Sequence, residues 1–185
     1  KEQSGNQIGN IFANGKPVTV EPQGCKTNYN GGVALYGGSL EGPVENTDIT
    51  LVTDRDDTVH TLNYVYGGGK QENTVTGAKV IKVLTNGTAS AAKDGTMYVG
   101  NIRDFDELQV GNQDENVGTA TLCVTEVLDS KFNPDANPDA TDRTGKVVIQ
   151  KGTLKFTGKY QSHIGKLEWG SANSCISIYK DESGI

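Results

Sequence analysis

The sequence predicts an all-β chain wound as a β-solenoid, on three observations. The phrase Leu35-Tyr36-Gly37-Gly38 returns about thirty residues later as Val65-Tyr66-Gly67-Gly68-Gly69. Each copy leads through a short polar turn into an alternating apolar strand, Val44 to Leu51 in the first and Val75 to Val83 in the second. Self-similarity at a fixed period of roughly 20–50 residues marks repeat architectures. Composition agrees: of 185 residues, 24 are Gly, 19 Thr and 15 Asn. Glycine costs backbone entropy in a helix, threonine is β-branched, and asparagine competes for backbone hydrogen bonds. The alternative is an antiparallel β-sandwich, which also spaces short strands closely. A sandwich does not require Tyr-Gly-Gly at a fixed offset.

Residues 1–30 are polar and irregular, with one strand at 17–21, and are expected to form an N-terminal cap or arm. The solenoid is expected over 31–185, with a polar excursion at about 129–145. Placing Tyr36 on Tyr66, with one extra residue at each of two later points, brings Ile49 onto Ile81 and Leu51 onto Val83. A weaker third copy is read from Tyr98-Val-Gly-Asn101. A fourth is read from Leu108-Gln-Val-Gly-Asn112, Asn116-Val-Gly118 and Ala120-Thr-Leu-Cys-Val124, against Tyr66, Val75-Thr-Gly77 and Val80 to Val83. Later strands are expected at Val147-Val-Ile149, Leu154-Lys-Phe156, Ile164-Gly-Lys-Leu167 and Cys175-Ile-Ser-Ile178. The expected coil holds three short strands. One coil cannot bury its apolar face alone, so stacked coils share a core. Glycine supplies the corners.

These phrases resemble the right-handed parallel β-helix domains of bacterial secreted and cell-wall-attached proteins, many of them adhesin-like. Successive coils there read aromatic-Gly-Gly, polar turn, Val-x-Gly, then alternating β-branched residues. The match covers about 31–178, on Leu35 to Gly38, Val65 to Gly69, Val75 to Gly77 and the Gly152–Ile178 stretch. The resemblance implies a single right-handed parallel β-helix on a cell exterior. Its motifs are structural and carry no catalytic residue to transfer.

The net charge of −6 arises from 17 basic and 23 acidic residues, with arginine only at 55, 103 and 143. Nucleic-acid binding needs a clustered basic footprint, and none is present. No apolar run reaches the roughly 18 residues of a membrane-spanning helix. The chain opens on Lys1, so a processed protein is expected, with any export signal upstream. The apolar strand Cys175 to Tyr179 is followed by only six residues, which suggests a longer exported chain, or else an edge that pairs with another copy. Cys25, Cys123 and Cys175 include no CxxC; buried thiols are the first expectation, and one disulfide with a free thiol is the alternative.

Candidate chemistry is sparse. Asp54-Arg-Asp-Asp57 follows a strand and reads as a solvated corner. Calcium-dependent β-helix lyases need carboxylates at matching positions on successive coils, and Asp54 aligns with Asn86. Asp104, Asp106, Glu107, Asp114 and Glu115 form a second acidic group. Asp135, Asn137 and Asp139 alternate as in a calcium loop, but Ala140 and Lys146 stand where an EF-hand needs Gly and Glu. Calcium there is the functional reading and a polar excursion the structural one. His60 and His163 lie in different repeats. Ser162 adjoins His163, but strand neighbours point to opposite faces. No GxSxG, HExxH or phosphate loop occurs. Tyr36 and Tyr66 are expected to stack. Together with Trp169 they are the candidates for a carbohydrate platform.

The expected function is a non-catalytic secreted or cell-surface module, adhesin-like or structural, with a glycan or other cell-surface molecule as ligand. The alternative is a carbohydrate-active enzyme, either a polysaccharide lyase or a glycoside hydrolase, or a fragment of one. Such an enzyme needs a carboxylate pair, or a calcium–aspartate cluster with a base, on one face. Neither assembles across the aligned coils.

Overall fold

A computed structural model describes residues 10–20, 34–53, 61–70, 75–131, 144–158 and 161–178. Among them there is no helix. Strands β1 (Asn10–Phe12), β3 (Ala34–Tyr36), β5 (Thr61–Tyr66), β7 (Gly95–Arg103), β9 (Ala120–Val124), β12 (Gly152–Phe156) and β14 (Cys175–Ile178) lie side by side in that order. With β10 (Leu128–Asp129), which also pairs with β7, they make an eight-stranded sheet. Strands β2 (Val18–Val20), β4 (Thr47–Thr53), β6 (Lys79–Thr85), β8 (Glu107–Val110), β11 (Lys146–Ile149) and β13 (Lys166–Trp169) form a second sheet of six. Every ladder between these strands is parallel. Apart from β9 and β10, which both join the eight-stranded sheet, the chain visits the two sheets in alternation and adds strands in sequence order, which is consistent with a solenoid-like fold. The strands do not pair in the antiparallel manner of a sandwich. Both sheets reach back to residues 10–20 through β1 and β2.

The register follows the side-chain pattern. Tyr36 pairs with Tyr66, Ile49 with Ile81, and Leu51 with Val83, as aligned from the sequence. In β4 burial alternates along the strand: Ile49 and Leu51 are buried, while Thr50 and Val52 are partly exposed. Two apolar columns run through the six-stranded sheet, Val18–Ile49–Ile81–Leu108–Val147–Leu167 and Val20–Leu51–Val83–Val110–Ile149–Trp169. Leu35–Val65–Ile102 and Met97–Leu122–Leu154 face them from the other sheet. These columns form one continuous core. Each fully buried aliphatic side chain is worth about 1.5–3 kcal/mol relative to exposure.

The third and fourth repeats sit elsewhere than the sequence phrases suggested. Tyr98 pairs with Thr61, so the counterpart of Val65-Tyr66-Gly67 is Ile102-Arg103-Asp104. Leu108 pairs with Ile81 in the six-stranded sheet, while Ala120 to Val124 belong to the other sheet, half a coil away. The coil from Ala120 to Ile149 contributes three strands, β9, β10 and β11; among the described residues the other coils show two, and Val44 bridges Val75.

The corner after each aromatic explains its glycines. A Cβ on Gly37 would lie 2.5 Å from the Gly67 carbonyl oxygen, and one on Gly67 would lie 2.3 Å from the Asp104 carbonyl oxygen. Only glycine allows so close an approach between successive coils. Asp104 itself holds the left-handed conformation, with φ 56°. Its carboxylate pairs with Lys79 at 2.7 Å. Asp106 Oδ2 accepts the Lys79 N–H at 2.8 Å, and Asp106 returns its own N–H to the Lys79 carbonyl at 2.9 Å. Phe105, between them, is buried in the core.

Ile81 is buried in the middle of its column. Truncation to Ala should lower unfolding free energy by about 2–5 kcal/mol, read by denaturant titration. A loss below about 1 kcal/mol would contradict the placement of Ile81 in a close-packed core.

Candidate functional site

One register column of the eight-stranded sheet differs in chemistry from the rest. It runs Phe12, Tyr36, Tyr66, Arg103, Asp129 and His163, one residue per successive strand or bridge. Leu35, Val65, Ile102 and Leu128 precede four of these residues and point into the core. With a side-chain period of two, the column lies on the outer face. Its first half is aromatic and its second half charged.

The aromatic half is a stack. The Phe12 and Tyr36 ring centroids are 4.8 Å apart with planes 13° from parallel; Tyr36 and Tyr66 are 4.7 Å and 5° apart. This is the inter-strand repeat of a parallel sheet, so the backbone ladder sets the stacking distance. Such pairs add about 0.5–1.5 kcal/mol beyond area burial. Tyr36 is covered on both faces and only 8 % exposed. It fills the ladder and offers no open face to a sugar ring. Tyr64 is different. It lies beside Tyr66, centroids 6.0 Å apart, and is 36 % exposed. Burial raises the phenol pKa values of Tyr36 and Tyr66, with Tyr64 adding to both, while the nearby Arg103 charge acts in the opposite sense on Tyr66.

In the charged half, Asp129 has a fully buried side chain and lies 3.5 Å from Nδ1 of His163, which is 43 % exposed. Asp129 Oδ1 also accepts the Lys131 N–H at 2.9 Å. The His163 N–H donates to the Leu128 carbonyl at 2.8 Å, and the Ser130 N–H donates to the His163 carbonyl at 3.2 Å. The histidine therefore belongs to an inter-coil join. Ser162 does not complete a nucleophilic triad, since its Oγ accepts the Leu128 N–H at 3.0 Å.

The other sequence candidates fall in separate places. Trp169 ends the inward column of Ile149 on β13, the last strand of its sheet, and is 55 % exposed. It is far along the stack from Tyr36 and Tyr66, and the three do not form one surface. Asp135, Asn137 and Asp139 lie outside the described residues, as do Asp54 to Asp57, His60 and Cys25. Among the described residues no group of three His, Cys, Asp or Glu could hold a metal ion. Glu107 pairs with Lys146 at 2.9 Å, and Glu168 bridges Lys166 at 2.6 Å and Lys146 at 4.0 Å. The hydrogen bond to Glu107 raises the Lys146 pKa, and the one from Lys166 lowers that of Glu168. Glu115 accepts hydrogen bonds from Ser171 and Asn173 of a distant corner, which lower its pKa. Of the cysteines, Cys123 is buried, and burial pushes its thiol pKa up. Cys175 is exposed and free, contrary to the buried thiol expected there, because it occupies the outward column of Thr96, Thr121 and Thr153.

Sequence reasoning missed Tyr64, Arg103 and Asp129. Tyr64 had a signal, its two-residue spacing from Tyr66, which puts both on one face of a strand. Arg103 and Asp129 had none, because no repeated phrase marks their coils. Compared with protein-family models, curated proteins and solved structures, the chain matches none.

Both ladder phenols hold their protons more tightly folded than unfolded. Their contribution to stability is therefore complete below the ordinary tyrosine value of about pH 10 and is lost as pH rises through the raised folded values. The double variant Tyr36→Phe/Tyr66→Phe should show a shallower alkaline fall in denaturation midpoint than the wild type. Identical alkaline slopes would contradict the assignment.

Proposed function

We propose that this chain is a non-catalytic, carbohydrate-binding module built as a single right-handed parallel β-helix. Its setting is the exterior of a bacterial cell, secreted or surface-attached, within a longer adhesin-like or structural protein. The observation that carries the reading is the aromatic ladder on an outer sheet face, with Tyr64 exposed at its side. Sugar rings pack their C–H faces on such aromatic surfaces, and a parallel β-stack holds the rings at a fixed spacing. The employment of the acidic side chains supports the non-catalytic part. Asp48, Asp104, Glu107 and Glu168 pair with lysines, and Asp106 binds a backbone N–H. Carboxylates tied into the scaffold in this way are not poised as a glycosidase acid and nucleophile. Calcium at Asp135, Asn137 and Asp139 would act as an accessory, held through oxygen ligands.

A glycan-array screen with and without calcium tests the reading. Binding to at least one glycan class is expected, weakened roughly tenfold or more by Tyr64→Ala, as for loss of a stacking contact of about 1.5 kcal/mol. Release of sugar from a polysaccharide would contradict the non-catalytic reading. Binding unaffected by Tyr64→Ala but lost with Trp169→Ala would move the site to the last coil.

A further inference from the structure

Arg103 is the charge that the scaffold leaves unexplained. It is half-buried on the outer face, in register with Tyr66, while Asn101 two residues earlier is in register with Tyr64. Tyr64, Tyr66 and Arg103 thus lie together on two adjacent strands, beside the buried Asn101. The Nε of Arg103 is buried without a hydrogen-bond partner. Three carboxylates lie near it in sequence or register, and each is engaged elsewhere. Asp104 pairs with Lys79 at 2.7 Å, Asp129 lies 3.5 Å from His163, and Glu126 accepts from the Asn101 side-chain amide. Among the described residues no carboxylate pairs with Arg103.

A guanidinium drawn partly out of water without a counter-ion is unfavourable, and such groups are normally paired and hydrogen-bonded. An anion from outside the chain would supply counter-charge where the half-buried side chain meets solvent. Its position is restricted by what lies alongside, the exposed ring of Tyr64. A pyranose resting on that ring would bring its own acidic substituent toward Arg103. Guanidinium forks match carboxylate and sulfate oxygens with two parallel hydrogen bonds. The chain's net charge of −6 opposes anions at long range. That field is screened beyond about 8 Å at physiological ionic strength, whereas the Arg103 contact acts at hydrogen-bond distance.

We propose that Tyr64, Tyr66 and Arg103 form one subsite for a saccharide bearing an anionic group, with the sugar ring on Tyr64 and the anion on Arg103. This assignment rests on the carbohydrate-binding reading above and narrows it to acidic glycans.

Calorimetric titration of the full chain with three probes tests it: a uronic-acid hexasaccharide, the same hexasaccharide with its carboxylates reduced to alcohols, and a sulfated neutral hexasaccharide. The wild type should bind an acidic probe roughly tenfold more tightly than the reduced one, the usual size of a charge-assisted contact. Comparison of the two acidic probes identifies the anion. Arg103→Gln should abolish the preference, while Arg103→Lys should keep part of it. Tyr64→Ala should weaken all binding. Thermal denaturation checks that each variant folds, and the wild-type ratio tests the assignment even if Arg103→Gln does not. Equal wild-type affinity for acidic and reduced probes, or a preference surviving Arg103→Gln, overturns the anionic assignment while Tyr64-dependent binding leaves the carbohydrate reading standing. No binding of any probe overturns the acidic-glycan assignment, and a blank glycan array overturns the carbohydrate reading with it.

Discussion

Unbroken backbone register between parallel strands is the constraint on which the rest of the molecule depends. An interior strand is hydrogen-bonded on both sides, so each residue inherits the column of the residue above it. A slip of one residue would send a whole strand's apolar set to the outside. The core columns, the ring stack at 4.7 Å and the glycine corners are consequences of that one ladder. The corners in turn protect the register. Gly37 and Gly67 sit where any side chain would strike the next coil's carbonyl, and Asp104 closes the following corner with its bond to Lys79. The aromatic ladder stabilises the same stacking from outside the core.

The two sheets turn different chemistry to the solvent. On the six-stranded sheet, Asp48, Lys82, Glu107, Lys146, Lys166 and Glu168 neutralise one another, across coils and, for Lys166 and Glu168, along one strand. Exposed pairs of this kind contribute little to stability, about 0–1 kcal/mol each, and leave a solvated face with no net demand for a partner. On the eight-stranded sheet the outer face carries stacked tyrosines and Arg103, whose guanidinium no carboxylate among the described residues pairs with. That asymmetry is why the functional reading rests on one face and not on the molecule as a whole.

Where the chain repeats itself, the fold is legible in its sequence. Tyr36 and Tyr66, with the Gly-Gly after each, announce two successive coils, and the alternation of Ile49-Thr-Leu51 and Ile81-Lys-Val83 gives their pairing. The signal fades at the next coil for a physical reason. Arg103 takes the tyrosine's place, and Asp104, with φ 56°, takes the glycine's, so the counterpart phrase shares no residue type with its predecessors. Coil length also varies, and a fixed offset then points to the wrong strand, as it did for Leu108 and Tyr98. Exposure at the stack's end is a further limit. Trp169 continues a buried column but is uncovered because its strand is last in its sheet. The site was half legible: the ring stack followed from the repeat, while the surroundings of Arg103 depend on which described carboxylates distant coils have already claimed.

Disulfide trapping measures the register most directly. In a background with Cys25, Cys123 and Cys175 replaced by Ser, Thr50→Cys/Lys82→Cys joins positions paired across adjacent strands, whereas Thr50→Cys/Gln109→Cys joins positions two strands apart. Adjacent parallel partners lie about 4.8 Å apart, within the Cα range of an unstrained disulfide of roughly 4.4–6.8 Å; twice that spacing is not. Stacked parallel coils predict rapid intramolecular cross-linking of the first pair and none of the second in the folded protein. Cross-linking of the second pair, or failure of the first, would contradict the in-register stack.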